Sequence, residues 1–186
     1  DYTVLDTVIM GNKELYSIML EKDRLYSKEN FTNEDGMRAA MLEEKFLYMN
    51  GWDAPSEAEK LLDGLGVDKN DYNKKMDQLK DSVKVKVLLA SALFGNPDIL
   101  LLDEPTNGLD VITAKVVTDF LKELKSQNKI IIISTHIFSL VEKLCDRVGI
   151  IINGKMIKSG ELVELTKEKD LEELFFELYK EEVGEK

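Results

Sequence analysis

A chain of 186 residues, 44% of them hydrophobic, has enough apolar side chains to build one domain, or one domain with an appended lobe. Its 36 acidic residues against 25 basic ones leave a net charge of -11, which disfavours broad adhesion to DNA, RNA or anionic lipid, because their phosphates would be repelled. The single cysteine, Cys145, excludes an internal disulfide, and no apolar run approaches the roughly 18 residues needed to span a bilayer.

The chain opens on Asp1 rather than Met and shows no signal peptide, so it reads as a processed, trimmed or excerpted polypeptide in a reducing, cytoplasmic setting. In the first half the apolar residues recur at helical steps. Leu15, Ile18, Met19, Leu25 and Tyr26 share one face of a predicted helix. A second helix starts at Thr32, whose hydroxyl caps while Asp35 answers three residues later; it turns Leu42, Phe46 and Met49 inward and stops at Asn50-Gly51. The two are expected to form a hairpin. Ser56 with Glu59 predicts another capping box, opening a helix through Leu61, Leu62 and Leu65 that ends at Gly66.

From Val83 the pattern changes. A helix through Val85, Leu88, Leu89, Ala92 and Leu93 ends at Gly95-Asn96-Pro97. The continuous apolar run from Ile99 to Leu102 predicts a strand buried on both faces, followed by a helix through Val117, Phe120, Leu121 and Leu124 and a strand from Ile130 to Ile133. Strand, helix, strand implies a parallel pair. Phe138 to Cys145 reads as a helix in which Cys145 is a small buried hydrophobe. Val148 to Ile152 reads as a strand that continues the sheet, Asn153-Gly154 as a tight hairpin turn, and Leu171, Leu174, Phe175, Leu178 and Tyr179 as one face of a C-terminal helix.

The first predicted strand delivers two adjacent carboxylates, Asp103 and Glu104, to its C-terminal end, where open α/β sheets place ligands. In phosphoryl transfer a carboxylate so placed can orient Mg²⁺, and its neighbour can take a proton from the attacking water. Asp103 is therefore the candidate metal ligand and Glu104 the candidate base. His136, the only histidine, closes the second predicted strand beside them.

Residues 99–110, Ile-Leu-Leu-Leu-Asp-Glu-Pro-Thr-Asn-Gly-Leu-Asp, resemble the Walker B motif and D-loop of the ATP-binding-cassette (ABC) ATPases, and Ser134-Thr135-His136 resembles the switch-histidine loop of that family. The resemblance implies an α/β fold, part of an ABC-type nucleotide-binding domain: a helical lobe with an arm-like hairpin over residues 1–95, the C-terminal part of the ATPase core over 96–165 with a mainly parallel sheet, and a C-terminal helix over 166–186. It implies ATP and Mg²⁺, with His136 toward the γ-phosphate and Asp110 on a loop facing a second cassette. The family signature L-S-G-G-Q should fall at Leu79-Lys80-Asp81-Ser82-Val83, where both glycines are missing. Either Ser82 takes over the nucleotide contact or this half of a composite site is impaired, and impairment is the expectation. A P-loop, G-x-x-x-x-G-K-[ST], is not recognised: its near match, Gly149 to Met156, contains an Asn-Gly hairpin and no metal-binding hydroxyl.

Up to about residue 110, Thr3-Val4-Leu5-Asp6-Thr7-Val8, Glu34-Asp35-Gly36, Met49-Asn50-Gly51-Trp52 and Asn96-Pro97-Asp98 resemble the ribosome-associated ABC-F ATPases. Beyond about residue 111, Phe120-Leu121-Lys122-Glu123-Leu124, Val141 to Val148 and Leu171-Glu172-Glu173-Leu174-Phe175 resemble nucleotide-binding subunits of membrane exporters. The chain thus reads as a mosaic of two branches, inactive alone. The resemblance implies as partners a second cassette, which could be a second copy of this chain, or a missing N-terminal part, with the ribosome or a transmembrane exporter subunit as client and no DNA. A non-catalytic interaction module that inherited the motifs is the alternative.

Overall fold

The structure, a computed structural model, describes residues 2–184; Asp1, with which the sequence opens, and Glu185 and Lys186, at the end of the expected C-terminal helix segment, lie outside the described residues. The chain divides into two compact units, Asp1–Leu100 with Gly108–Ile131, and Leu101–Asn107 with Ile132–Lys186.

In the first unit, Thr3 and Asp6 cap helix α1 (Val4–Ile9) reciprocally, which satisfies two amides that a helix start leaves without partners. Val4 and Val8 on α1 are wholly buried. Three helices meet there, as α1 packs on α4 (Ala54–Gly64) and α5 (Asp81–Leu93), which pack on each other. After α1 the chain passes so close to α5 that a Cβ on Gly11 would lie 1.9 Å from the Ser91 carbonyl oxygen, so only glycine fits.

The predicted hairpin forms from α2 (Lys13–Tyr26) and α3 (Asn33–Tyr48). The capping box of Thr32 and Asp35 is present, and Leu42 and Phe46 are buried as expected. The buried stripe of α2 is Leu15, Ile18, Lys22 and Leu25 rather than one containing Tyr26, which is exposed and stacks on Phe31. Lys22 is only 7% exposed. Its Nζ donates to Glu43 Oε2 at 2.8 Å and lies 3.7 Å from the ring centre of Phe46 and 4.9 Å from that of Trp52, so its aliphatic stem fills the apolar stripe while two aromatic faces and a carboxylate receive its charge.

Helix α4 starts earlier than predicted. A 3₁₀ turn over Gly51–Asp53 runs straight into it, Pro55 occupies its first turn, and the Ser56 hydroxyl donates backward to the Asp53 carbonyl instead of capping. Its end is as expected: Gly66 takes φ +64°, and the amides of Gly66 and Val67 reach back to Asp63 and Leu62. On α5 the buried residues are Val87, Leu89, Ala90 and Leu93, whereas Leu88 is exposed, so the buried face is rotated from the one predicted. Helix α6 (Val111–Ser126) buries Val117, Leu121 and Leu124.

Strands β1 (Ile99–Asp103) and β2 (Ile130–Ser134) pair, and the division between the units passes through both. At one end the Ile130 amide donates to the Asp98 carbonyl at 2.9 Å; at the other the Glu104 amide donates to the Ser134 carbonyl at 2.8 Å. Residue numbers rise together, so the pair is parallel, as strand-helix-strand order predicts. The expectation of burial on both faces fails: Ile99, Leu101, Ile130 and Ile132 are exposed, and only Leu100 is fully buried, because in a pair of strands alternate side chains point away from the covered side.

In the second unit, α7 (Phe138–Leu144) leads to β3 (Arg147–Ile152) and β4 (Lys155–Glu161), an antiparallel hairpin whose register slips by one residue at Ile157. This hairpin is a two-stranded sheet of its own and does not continue the β1–β2 pair. Asn153 and Gly154 both have positive φ, the requirement of a tight two-residue hairpin turn. Ile150 and Ile152 form a core with Leu162 of α8 (Leu162–Leu165) and with Leu171 and Leu174 of α9 (Leu171–Val183). The C-terminal helix therefore packs on its own chain. Cys145 is half-buried, short of the burial expected of it. The α/β class holds, and no helix among the described residues is long and apolar enough to cross a membrane.

Candidate functional site

Three of the five candidate residues, Asp103, Glu104 and His136, fall within the second unit and come together there. The parallel pairing of β1 and β2 brings Asp103-Glu104 beside Ser134-Thr135-His136. The Ser134 hydroxyl donates to Asp103 Oδ1 at 2.7 Å. Directly after β1 the backbone turns left-handed at Glu104, φ +46°, a region that disfavours side chains other than those of Gly, Asn and Asp. The amide of Asn107 closes this turn onto the Glu104 carbonyl at 3.0 Å.

Both oxygens of the Glu104 carboxylate are engaged. Oε2 accepts the Thr135 hydroxyl at 3.0 Å; Oε1 accepts the His136 backbone amide at 3.2 Å and lies 2.6 Å from His136 Nδ1. The hydrogen bond from the His136 ring, reinforced by Thr135, holds the Glu104 carboxyl below its usual value against an opposing push from partial burial. An ionised carboxylate only accepts, so the 2.6 Å contact is a hydrogen bond when His136 Nδ1 carries the proton. The imidazole stays 73% exposed.

The other two candidates belong to the first unit. Asp110 caps α6: its Oδ1 accepts the amides of Ile112 and Thr113 at 3.0 Å each, and its Oδ2 accepts the Thr113 hydroxyl at 2.7 Å. The Thr113 hydroxyl, with these amides, lowers the Asp110 pKa. Ser82 sits in the first turn of α5, behind Lys80, whose side chain makes no cap hydrogen bond, and Asp81, which pairs with Lys84 at 2.9 Å.

Sequence reasoning gave a role to His136 and none to Ser134 or Thr135, the two hydroxyls that hold the carboxylates. The signal was present, since two hydroxyl residues stand at the end of a strand that should lie beside an Asp-Glu pair. The Gly149–Met156 stretch that imitates a phosphate loop lies within the β3–β4 hairpin. Among the described residues no group of three or more His, Cys, Asp or Glu could hold a metal ion.

A family model described as ABC transporter matches residues 9–107, more than half of the chain. The chain is 50% identical over 149 residues to the ABC transporter ATP-binding protein YkpA of Bacillus subtilis (strain 168), covering 80% of this chain and 27% of that protein. To the probable ATP-binding protein YbiT of Escherichia coli O157:H7 it is 43% identical over 141 residues, 76% of this chain and again 27% of that one. It therefore spans about a quarter of the length of these relatives. The dimeric structure of a post-hydrolysis state of the ATP-binding cassette MJ0796 bound to ADP and Pi superimposes with a TM-score of 0.55 at 26% identity, over 60% of this chain and 48% of that one. With the matched span ending just beyond the paired carboxylates, the chain belongs to the ABC transporter family.

Proposed function

We propose that the chain is the hydrolysis-side part of an ATP-hydrolysing cassette, completed by a phosphate-wrapping segment that comes from outside residues 1–186. The observation that carries this reading is the 2.6 Å contact between Glu104 and His136, with Asp103 next in sequence and held by Ser134. Asp103 would hold the Mg²⁺ that arrives with the nucleotide, and the ion would neutralise charge on the β- and γ-phosphates. Glu104, kept ionised by its neighbours, is the acceptor for the proton of the attacking water. His136, exposed beyond Glu104, meets the γ-phosphate.

Asp110 and Ser82 face a second cassette, which a second copy of this chain would supply. Without glycines near Ser82, and with Asp81 beside it, that half of a composite site is impaired. The ABC-F-like first part and exporter-like second part make the client either the ribosome or a transmembrane subunit, served from the cytoplasm. The identity to YkpA over 149 residues supports a cassette reading without choosing between them.

Alone, the chain lacks several charge-assisted phosphate contacts, each worth roughly 1.5–3 kcal/mol, so nucleotide affinity should fall by orders of magnitude. A titration with Mg-ATP, followed by Trp52 fluorescence and by thermal shift, is expected to show no tight binding, and tight binding would overturn the incompleteness. Supplying the missing segment should restore binding, and Glu104→Gln should then trap ATP without turnover. If Asp103→Ala and His136→Ala leave nucleotide binding and turnover of the completed cassette unchanged, the chain is a non-catalytic module.

A further inference from the structure

The Thr135 hydroxyl takes part in two hydrogen bonds whose directions are fixed by chemistry. It accepts from the Ile137 backbone amide at 3.2 Å, and an amide N–H can only donate. Its own single proton is therefore committed to the other contact, Glu104 Oε2 at 3.0 Å. This bond does not depend on the state of the imidazole. It pins one carboxylate oxygen from the residue directly after β2, and with the His136 backbone amide 3.2 Å from the other oxygen it fixes the plane of the carboxylate. That other oxygen, Oε1, sits at 2.6 Å from His136 Nδ1.

An imidazole exposed to water has two neutral tautomers, and the hydrogen bond at one nitrogen decides which is present. We propose that Thr135 is a positioning residue: by pinning Glu104 Oε2 it holds Oε1 against the His136 ring, and so fixes His136 as the Nδ1–H tautomer with Nε2 bare. The arrangement is a chain of contacts from the Ile137 amide to the Thr135 hydroxyl, and from there through the Glu104 carboxylate to the His136 ring. Its meaning for ATP hydrolysis rests on the function proposed above, because a neutral ring with a bare Nε2 accepts rather than donates and must gain a proton before it can donate to a phosphate oxygen. The tautomer itself does not rest on that reading.

His136 is the only histidine in the chain, so its two ring nitrogens can be read in a long-range ¹H–¹⁵N correlation spectrum without assignment by mutation. The spectrum is recorded on the 186-residue chain at about pH 8.5, where an imidazole is ordinarily neutral. The wild-type chain is expected to show a protonated Nδ1 and a bare Nε2. Thr135→Val keeps the shape of the side chain and removes the hydroxyl, and is expected to move the majority of the ring to the Nε2–H tautomer. Thr135→Ser restores the hydroxyl and should restore the wild-type pattern. Circular dichroism of each variant reports folding; if Thr135→Val does not fold, Thr135→Ala against Thr135→Ser supplies the same comparison. A wild-type ring in the Nε2–H form, or a folded variant without the hydroxyl that keeps the wild-type pattern, overturns the proposal. Neither result depends on nucleotide, so a completed cassette that fails to bind or hydrolyse ATP would sink the proposed function and leave the chain of contacts standing.

Discussion

The helical hairpin of α2 and α3 and the cluster at the ends of β1 and β2 use the same chemical parts, carboxylates met by cationic or hydroxyl donors, in opposite settings. In the hairpin, Lys22 is buried among aromatic rings before it reaches Glu43, and Asp35 is held by Lys28 and by the amide and hydroxyl of Thr32. In the cluster, the Glu104 backbone is left-handed, its carboxylate is met by two consecutive residues, Thr135 and His136, and the imidazole remains open to water. Of the hairpin's polar contacts, the one made by Lys22 is backed by aromatic packing. Those of the cluster hold groups in fixed positions while leaving one of them accessible, which is the arrangement chemistry needs.

The contrast can be tested, beginning with the largest effect. Phe46→Ala removes both a core ring and the face on which Lys22 rests, and is expected to cost about 3–5 kcal/mol in urea denaturation, while the imidazole spectrum of His136 stays unchanged. A matching change in that spectrum would mean that the two regions are not independent. Thr32→Ala removes the cap of α3 and is expected to cost about 1 kcal/mol by the same measurement.

Acid sharpens the comparison further. Lys28, above all, with the amide and hydroxyl of Thr32, lowers the Asp35 pKa from 3.8 to about 2. A carboxyl lowered on folding contributes stability that is complete above its unfolded value and disappears as pH falls through the folded one. The hairpin should therefore weaken between about pH 4 and pH 2, and helical circular dichroism of Asp35→Asn should lose that part of the acid transition. Glu104 is lowered too, chiefly by His136, so its contribution has the same sign: present above the ordinary glutamate value and lost below it. Being largely a surface contact, it should have the smallest effect, with Glu104→Gln leaving the thermal midpoint nearly unmoved. A large fall in that midpoint would place the cluster with the hairpin, as a folding device.

The hairpin and its Thr32 cap could be read from the sequence because apolar spacing and a reciprocal capping pair both act within one or two helical turns. Lys22 could not, since a pattern of apolar and polar residues counts it as solvated although its stem packs like an aliphatic side chain. Ser56 and Glu59 have the spacing of a capping box, but capping also requires an extended backbone at the cap, and the 3₁₀ turn before Pro55 is already helical. The run Ile99 to Leu102 shows that an apolar string sets the period of a strand without setting how many neighbours cover it. At the site, Asp103, Glu104 and His136 were legible because strand ends are where such sheets gather side chains. The hydroxyls of Ser134 and Thr135 were not, because their bonds to residues 31 positions away depend on strand register and on a left-handed turn at a residue that is not glycine.

That turn makes position 104 a place where two kinds of selection pull apart. In a randomised library screened only for soluble, protease-resistant protein, Gly and Asn should accumulate there, as they sit without strain at φ +46°, and β-branched residues should vanish. Screened for turnover in a completed cassette, the same library should return to glutamate. The distance between the two outcomes would measure how much backbone comfort this chain gives up to keep a negative charge at the tip of one strand.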